Sequence, residues 1–437
     1  MTFDPAYEAS QATLRILEDF RSGKHRGVVV NSPPGAGKST LVVRAAAELV
    51  EDGERLMIVA QTNEQVDDLT ASLAGRLPST LIGRLSSADY VPSARVAGLT
   101  NVACDKDAGN LAGCPVTIAT AAKWAYVKDR SWEWAIVDEA YQMRSDALLA
   151  IARLFERALF VGDPGQLDPF SVVENDRWRG LTWDPMQSAV AGLLRNNDGV
   201  PEHQLPVSWR LPRTAQDVIA SAFYPFTGFR TGTGPGEREL TFTTRALGRT
   251  PVDAVLEEAA TSGWGYLELP ARHTMRTDAE AVDAVAAVAR RFVERGPVAR
   301  SGSTSGPVTP SRIAVGAAHR DQVSALRTAL ADQPDITVDT ANRLQGREYD
   351  VTVVLHPLSG RRDATAFHLE AGRLCVLTSR HRQACVIVGR VGIHELLDAH
   401  PSTEPVHLYE TVKFPDGWAA NQTVMTHLET HRIPMSA

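Results

Sequence analysis

The chain has 437 residues, 43% of them hydrophobic, with a formal net charge of −7. That length suits two or three domains, and the acidic balance argues against a polybasic, sequence-independent binder while leaving room for a local basic groove. No run of about 18 apolar residues occurs, which excludes a membrane-spanning helix, and the start Met1-Thr2-Phe3-Asp4-Pro5 lacks the basic and apolar regions of a signal peptide. Cys104, Cys114, Cys375 and Cys385 form no C-x-x-C pair, the usage of reduced thiols in a cytoplasmic protein and not of a zinc site.

In chain order, Val28-Val29-Val30 is the first expected strand, and Leu41 to Leu49 reads as a helix. Between them lies Asn31-Ser-Pro-Pro-Gly-Ala-Gly-Lys-Ser-Thr40, the spacing of a phosphate loop. Gly35, Ala36 and Gly37 let backbone N–H groups point at phosphate oxygens, Lys38 reaches the β- and γ-phosphates, and Ser39, followed by Thr40, ligates Mg²⁺. The alternative, a Gly/Pro turn matching by chance, is weakened by the strand before and the helix after. The reading is a site for a nucleoside triphosphate.

Leu56 to Ala60 is a buried strand and Asn63 to Leu73 a helix; Val116 to Thr120, Ala135 to Asp138 and Ala158 to Val161 are further strands. Short apolar runs separated by helices imply a parallel sheet covered on both faces, with active groups at the carboxyl ends of its strands. Leu81 to Pro115 reads as an insertion, with Cys104 and Cys114 as free thiols in a loop. A polar break falls at Arg195 to Gly199.

The second half repeats the pattern. Ile313 to Gly316, Val351 to Leu355 and Val386 to Val388 are strands, and His319 to Leu330 is a helix. Thr227 to Glu239 and Gly296 to Ser311 read as loops, and Thr277 to Glu280 as a capping box opening a helix to about Glu294. A packing strand is expected at Val406 to Tyr409 in the tail.

Asp138-Glu139 ends an apolar strand run. A phosphate-loop enzyme needs an acid there to hold Mg²⁺, and a second carboxylate beside it can activate the attacking water. Asp138 is assigned to the metal and Glu139 to the general base. The segment Phe160 to Pro169 ends another strand in a Gly-Asp turn carrying Gln166, able to orient a water; Asp168 has no assigned role.

From about Tyr7 to Gly389, the order of these segments resembles the superfamily 1 helicases, most closely the 5′-to-3′ branch that contains the RNA helicase of nonsense-mediated decay and related DNA helicases. Gln11 resembles the adenine-reading glutamine, Ala60-Gln61-Thr62-Asn63 motif Ia, Ala119-Thr120 motif Ib, Asp138-Glu139-Ala140-Tyr141-Gln142 the DEA-x-Q motif II, and Gly162-Asp163 with Gln166-Leu167 motif III. Leu205 to Arg210 resembles motif IV, Val338-Asp339-Thr340 with Gln345-Gly346-Arg347-Glu348 motif V, and Arg373 to Arg380 motif VI. The resemblance implies that Arg210 and Arg380 reach the γ-phosphate, that Trp209 (where the family usually has Tyr) stacks on adenine with Glu348 also on the nucleotide, and that Thr62, Asn63, Thr120 and Thr340 grip the strand. A core Trp is the alternative for Trp209, and a solvated ion pair for either arginine. Gln61 replaces a common Pro, and Ser379 a usual Thr.

The expected fold is α/β, with two RecA-like P-loop NTPase domains, 1–197 and 198–437, built on parallel sheets with ATP in the cleft between them. The implied activity is an ATP- and Mg²⁺-dependent helicase or translocase on single-stranded DNA or RNA, a nearly bare, cytoplasmic, monomeric motor whose specificity a protein partner can supply. A nucleic-acid-independent ATPase switch acting on a protein partner is the alternative.

Overall fold

The computed structural model describes residues 3–167, 169, 178, 184–246, 250–274, 277–402 and 415–435; Asp168 and the strand expected at 406–409 lie outside them. The chain divides into two units, Met1–Pro164 with Asp168–Pro206, and Gly165–Leu167 with Val207–Ala437.

The first unit is built on β1 (Gly27–Asn31), β2 (Leu56–Ala60), β3 (Ile82–Leu85), β4 (Val102–Asp105), β5 (Val116–Thr120), β6 (Trp132–Asp138), β7 (Phe155–Gly162) and β8 (Glu202–Gln204). They form one sheet in the order β4-β3-β5-β2-β6-β7-β1-β8, and every pairing is parallel. Strands such as Leu56 to Ala60 are buried along their whole length, which is why they read as unbroken apolar runs. The helices are α1 (Pro5–Arg21), α2 (Lys38–Glu51), α3 (Asn63–Arg76), α4 (Ala94–Ala97), α5 (Ala121–Trp124), α6 (Ser145–Ile151) and α7 (Ala189–Asn196). Asp4 caps α1 by accepting from the N–H groups of Ala6 and Tyr7, with Pro5 at the first helical position.

Two expectations change here. The first unit does not end after Asn197: Glu202–Gln204 pairs with Val29–Asn31, so the sheet claims the chain through β8. The segment Leu81 to Pro115 is not a plain loop either. Its β3 and β4 extend the sheet beyond β5, with Cys114 buried and Cys104 exposed, both as free thiols.

In the second unit, β9 (Val207–Ser208) pairs with β10 (Arg230–Thr231). Next come β11 (Arg238–Phe242), β12 (Trp264–Leu269), β13 (Pro297–Ser301), β14 (Thr304–Pro307), β15 (Ile313–Ala317), β16 (Thr337–Thr340), β17 (Tyr349–Leu355), β18 (His381–Arg390) and β19 (Arg432–Pro434). The main sheet runs β16-β15-β17-β18-β12-β19, again all parallel. Alternate residues feed its two cores: Cys385 and Ile387 enter one, Val386 and Val388 the other. The helices are α8 (Gln216–Phe223), α9 (Pro251–Ser262), α10 (Ala279–Arg295), α11 (Arg320–Ala329), α12 (Ala341–Leu344), α13 (Ala366–Leu369), α14 (Ala371–Thr378), α15 (Ile393–Ala399) and α16 (Gly417–Glu429).

Both segments expected as loops contain strands. Gly302, at φ 58°, turns β13 back into β14, and β11 pairs antiparallel with β13, so polar Ser/Thr/Gly sequence is held by backbone pairing and not by a core. The cap of α10 is Asp278, not Thr277: its carboxylate accepts from the Ala281 N–H and holds Arg390. Glu280, the expected return partner of a capping box, is taken by Arg390.

Each unit is therefore a RecA-like α/β unit on a parallel sheet. Among the described residues, no helix is long and apolar enough to cross a membrane.

Candidate nucleotide and nucleic-acid sites

In the first unit the chemistry gathers at strand carboxyl ends. The loop after β1 takes left-handed backbone at Gly35 (φ 72°) and Gly37 (φ 88°), a region open to glycine at no steric cost. Gly37 is the N-cap of α2, with Lys38, Ser39 and Thr40 in the first helical turn and the latter two exposed. Exposed hydroxyls and N–H groups at a helix N-terminus suit phosphate oxygens.

Lys38 Nζ lies 3.1 Å from Asp138 Oδ1 and also bonds Glu139 Oε1. Both carboxylates are buried, 4% and 5% exposed. Burial acts to lower the Lys38 pKa, but the charges of Asp138 and Glu139 outweigh it and hold the ammonium above its ordinary value. The three groups thus meet as one charged constellation, from positions a hundred residues apart in sequence.

Glu139 has φ 51°, the left-handed value found at no other non-glycine residue among those described. Such a backbone costs of order 1–3 kcal/mol and concentrates at functional sites. Its surroundings enforce the turn. The Glu139 N–H donates to Asp138 Oδ1 (3.0 Å), its carbonyl accepts from the Gln142 N–H (2.9 Å), and Tyr141 Oη donates to Asn31 Oδ1. A Cβ at Gly162 would sit 2.8 Å from the Tyr141 ring and 3.0 Å from its nitrogen, so only glycine fits beside the turn.

The Ser39 hydroxyl and Asp138 carboxylate are hard oxygen donors of the kind Mg²⁺ takes beside substrate phosphates. Bound there, the metal would supply charge neutralisation on the phosphates.

In the second unit the polar residues split between the two ends of the sheet. Thr340 closes β16 at its carboxyl end, whereas Glu348 and Arg380 stand immediately before β17 and β18. Glu348 accepts from Arg382 (2.7 Å) and Arg210 (3.3 Å). Burial would raise its carboxyl pKa, but these arginines more than offset that and lower it. Arg238 donates to the backbone carbonyls of Arg382 and Trp209, and burial together with Arg382 pushes its guanidinium down to about 10. Arg380 is only 1% exposed; it donates to Ser379 Oγ at 3.0 Å, its Nε has no partner, and it forms no ion pair among the described residues. A buried guanidinium without a carboxylate is costly until an anion joins it.

Trp209 is 42% exposed and so is not a core residue; a Cβ at Gly232 would lie 2.5 Å from its ring. Gln166, although it follows β7, groups with the second unit, where its carbonyl packs so closely on Gly372 that a side chain there would come within 2.4 Å. Gln11 is half-buried on α1.

The strand-gripping candidates share one local geometry. Thr62, Thr120 and Thr340 are the N-caps of α3, α5 and α12, each at or just past the carboxyl end of a strand. Thr62 and Thr120 accept cap bonds from the N–H groups of Gln65 and Lys123; Thr340 makes no side-chain cap bond. Asn63 is exposed and its Oδ1 accepts from Arg84, which is buried and also holds Asp67 (3.1 Å).

Arg84, Tyr141, Arg238 and Arg382 are contributors that sequence reasoning missed. Tyr141 lay inside the recognised DEA-x-Q segment, so its phenol was within reach of that reading. The other three sit outside every motif and gain their roles through contacts distant in sequence.

Two family models, each described as an AAA domain, match residues 7–182 and 266–392. The chain is 22% identical over 402 residues to the DNA replication ATP-dependent helicase/nuclease dna2 of Schizosaccharomyces pombe, covering 86% of this chain and 27% of the relative. It is 23% identical over 419 residues to the DNA-binding protein SMUBP-2 of Mus musculus, covering 82% of this chain and 40% of the relative. The chain thus spans between about a quarter and two fifths of the length of these relatives. Arterivirus nonstructural protein 10, a helicase, has a related solved structure at 13% identity and a TM-score of 0.44, over 86% of this chain and 61% of the other. With the ordered motifs, the domain matches and the relatives in agreement, the chain belongs to the superfamily 1 helicases.

Proposed function

We propose that this chain hydrolyses ATP with Mg²⁺ and couples the reaction to unwinding or movement along single-stranded nucleic acid, 5′ to 3′, acting as a monomer. The observation that carries the reading is the buried Lys38–Asp138–Glu139 constellation beside a glycine-built phosphate loop. The unpaired buried Arg380 supports it from the second unit. Gly35, Ala36, Gly37, Lys38, Ser39 and Thr40 would hold the phosphates, Ser39 and Asp138 the metal, and Gln11, Trp209 and Glu348 the nucleoside. Glu139 would take the proton of the attacking water, Gln166 would orient that water, and Arg210 and Arg380 would neutralise charge on the transferring phosphoryl group. Thr62, Asn63, Thr120 and Thr340 would contact the strand. The names of both curated relatives favour DNA as that strand.

The test is steady-state ATP hydrolysis by the wild type and Glu139→Gln, each alone, with poly-dT and with poly-U. Stimulation by a polymer that Glu139→Gln abolishes is the expected result. Hydrolysis indifferent to both polymers would favour the second reading, an ATPase switch directed at a protein partner, to which the net charge of −7 lends weight.

A further inference from the structure

Arg84 in β3 is 1% exposed, and every nitrogen of its guanidinium has a partner. Nε donates to Asp67 Oδ1 (3.1 Å), Nη1 to the Leu85 carbonyl (2.9 Å) and Nη2 to Asn63 Oδ1 (2.9 Å). Asn63 and Asp67 share one face of α3 a turn apart, so the planar fork spans that turn. The guanidinium carbon lies 4.0 Å from the ring centroid of half-buried Tyr90, whose hydroxyl donates to Asp67 Oδ1 at 2.6 Å. Burial and the bond to Asp67 push that phenol up to about 12, so it remains the donor.

This anchorage decides which end of the Asn63 amide faces outward. A guanidinium only donates, so the amide oxygen is the atom turned to Arg84. Asn63 is exposed, and its Nδ2 is left as a donor with no partner among the described residues. The amide stands at the first position of α3, next to exposed Thr62. The strand before it, β2, pairs Ala60 with Thr120 at the end of β5, so Asn63 shares an end of the sheet with both threonines assigned to the strand in this unit. A neutral N–H donor at a helix N-terminus suits a phosphate oxygen.

An exposed asparagine left to itself turns about a broad, roughly two-fold χ2 and shows oxygen and nitrogen alternately. Bonded to Arg84, it is ordered before the strand arrives, which removes an entropic cost from binding. Lysine could still pair with Asp67, but its single ammonium on a flexible stem lacks the fork that reaches both residues.

Resting on the nucleic-acid reading above, we propose that Arg84 is a positioning residue for strand binding: without touching the strand, it holds the Asn63 amide with Nδ2 turned toward a backbone phosphate.

The test is a double-mutant cycle, read by fluorescence anisotropy of the full chain with a labelled thymidine strand of about 15 nucleotides at one fixed salt concentration. Asn63→Ala is expected to weaken binding about ten-fold, through loss of a hydrogen bond to a charged group. Arg84→Lys should weaken it about three-fold, through the freed amide. In the Asn63→Ala background Arg84→Lys should cost nothing further, because its effect passes through that amide. Equal costs in both backgrounds, or no loss for either single variant, overturn the proposal. Asn63→Asp keeps the bond to Arg84 and should melt at or above the wild-type temperature, yet it turns a carboxylate oxygen to the phosphate and should bind more weakly than Asn63→Ala. Binding by Asn63→Asp as tight as that of Asn63→Ala, or tighter, also overturns the proposal, and this arm stands even if Arg84→Lys fails to fold. Failure of the wild type to bind the strand overturns the nucleic-acid reading itself, and the positioning role with it.

Discussion

The hydroxyl of Tyr141 donates to Oδ1 of Asn31, tying the turn that carries Glu139 to the strand end that enters the phosphate loop. Burial, with Glu202 and Asp163 nearby, raises the phenol's pKa, so it stays protonated and remains the donor. Tyr141→Phe leaves the buried Asn31 acceptor without this bond, at a cost of about 1–3 kcal/mol. A lowered urea midpoint, with kcat falling more than KM changes, is the expected outcome; an unchanged kcat would show that the Glu139 turn holds itself.

Glu139→Gln keeps the side-chain volume and removes the carboxylate proposed to take the water's proton. Its hydrolysis rate is expected to fall about 10²–10⁴-fold while affinity for a labelled ATP analogue persists. Lys38→Ala is expected to behave differently, losing nucleotide affinity and leaving two buried carboxylates side by side. A calorimetric titration of both variants separates the two roles.

Thr340→Ala separates grip from fold, because Thr340 makes no side-chain cap bond. Its stability should stay within about 0.5 kcal/mol, while strand-stimulated hydrolysis falls about ten-fold with the loss of a charge-assisted hydrogen bond. Thr120→Ala removes a helix cap as well and should lose about 1 kcal/mol of stability. Unchanged stimulation in both variants would count against strand contact by these threonines.

Acid should destabilise the second unit through its buried histidines. Burial pushes His356 and His381 down to about 3, and His368 and His427 down to about 4. Unfolded, each would titrate near 6.5, so the unfolded chain binds more protons over that interval. Their contribution is therefore intact above about pH 6.5 and lost progressively as pH falls toward 3. His381 packs edge-on against Trp264 at 5.0 Å, and burial outweighs its contact with the Thr378 backbone, which alone would favour the charged ring. His381→Phe should preserve that packing and shallow the decline in melting temperature between pH 6.5 and 4; an unaltered profile would remove His381 from the account.

Arg84→Met would strip Asp67 of a buried partner and Asn63 of its brace. Breaking one side of a buried pair costs about 3–5 kcal/mol, so a clear fall in melting temperature is expected. Asp67→Asn combined with Arg84→Met should recover part of it.

The phosphate loop, the Asp138-Glu139 pair and the strands around them were legible from the sequence because their chemistry depends on short spacings: glycines where φ must be positive, acids at the end of an apolar run. Strands buried on both faces announce themselves as unbroken hydrophobic runs, and β1, β2, β5, β6, β7, β15, β17 and β18 were found that way, whereas buried β3 and β12, with glycine and polar residues in their runs, were not. The hairpin of β13 and β14 was not, since its Ser/Thr/Gly composition carries a loop signal and only pairing with β11 makes it sheet.

Hydrophobic patterning and local motifs thus determined the fold class, and the order of the motifs along the chain pointed to the family. Tertiary structure alone decided that β8 belongs to the first sheet, that Asp278 is spent on Arg390 112 positions away, and that Arg380 is buried without a carboxylate. Each of these rests on contacts between segments far apart in the chain, and no local spacing encodes which distant backbone or side chain arrives to satisfy a given group.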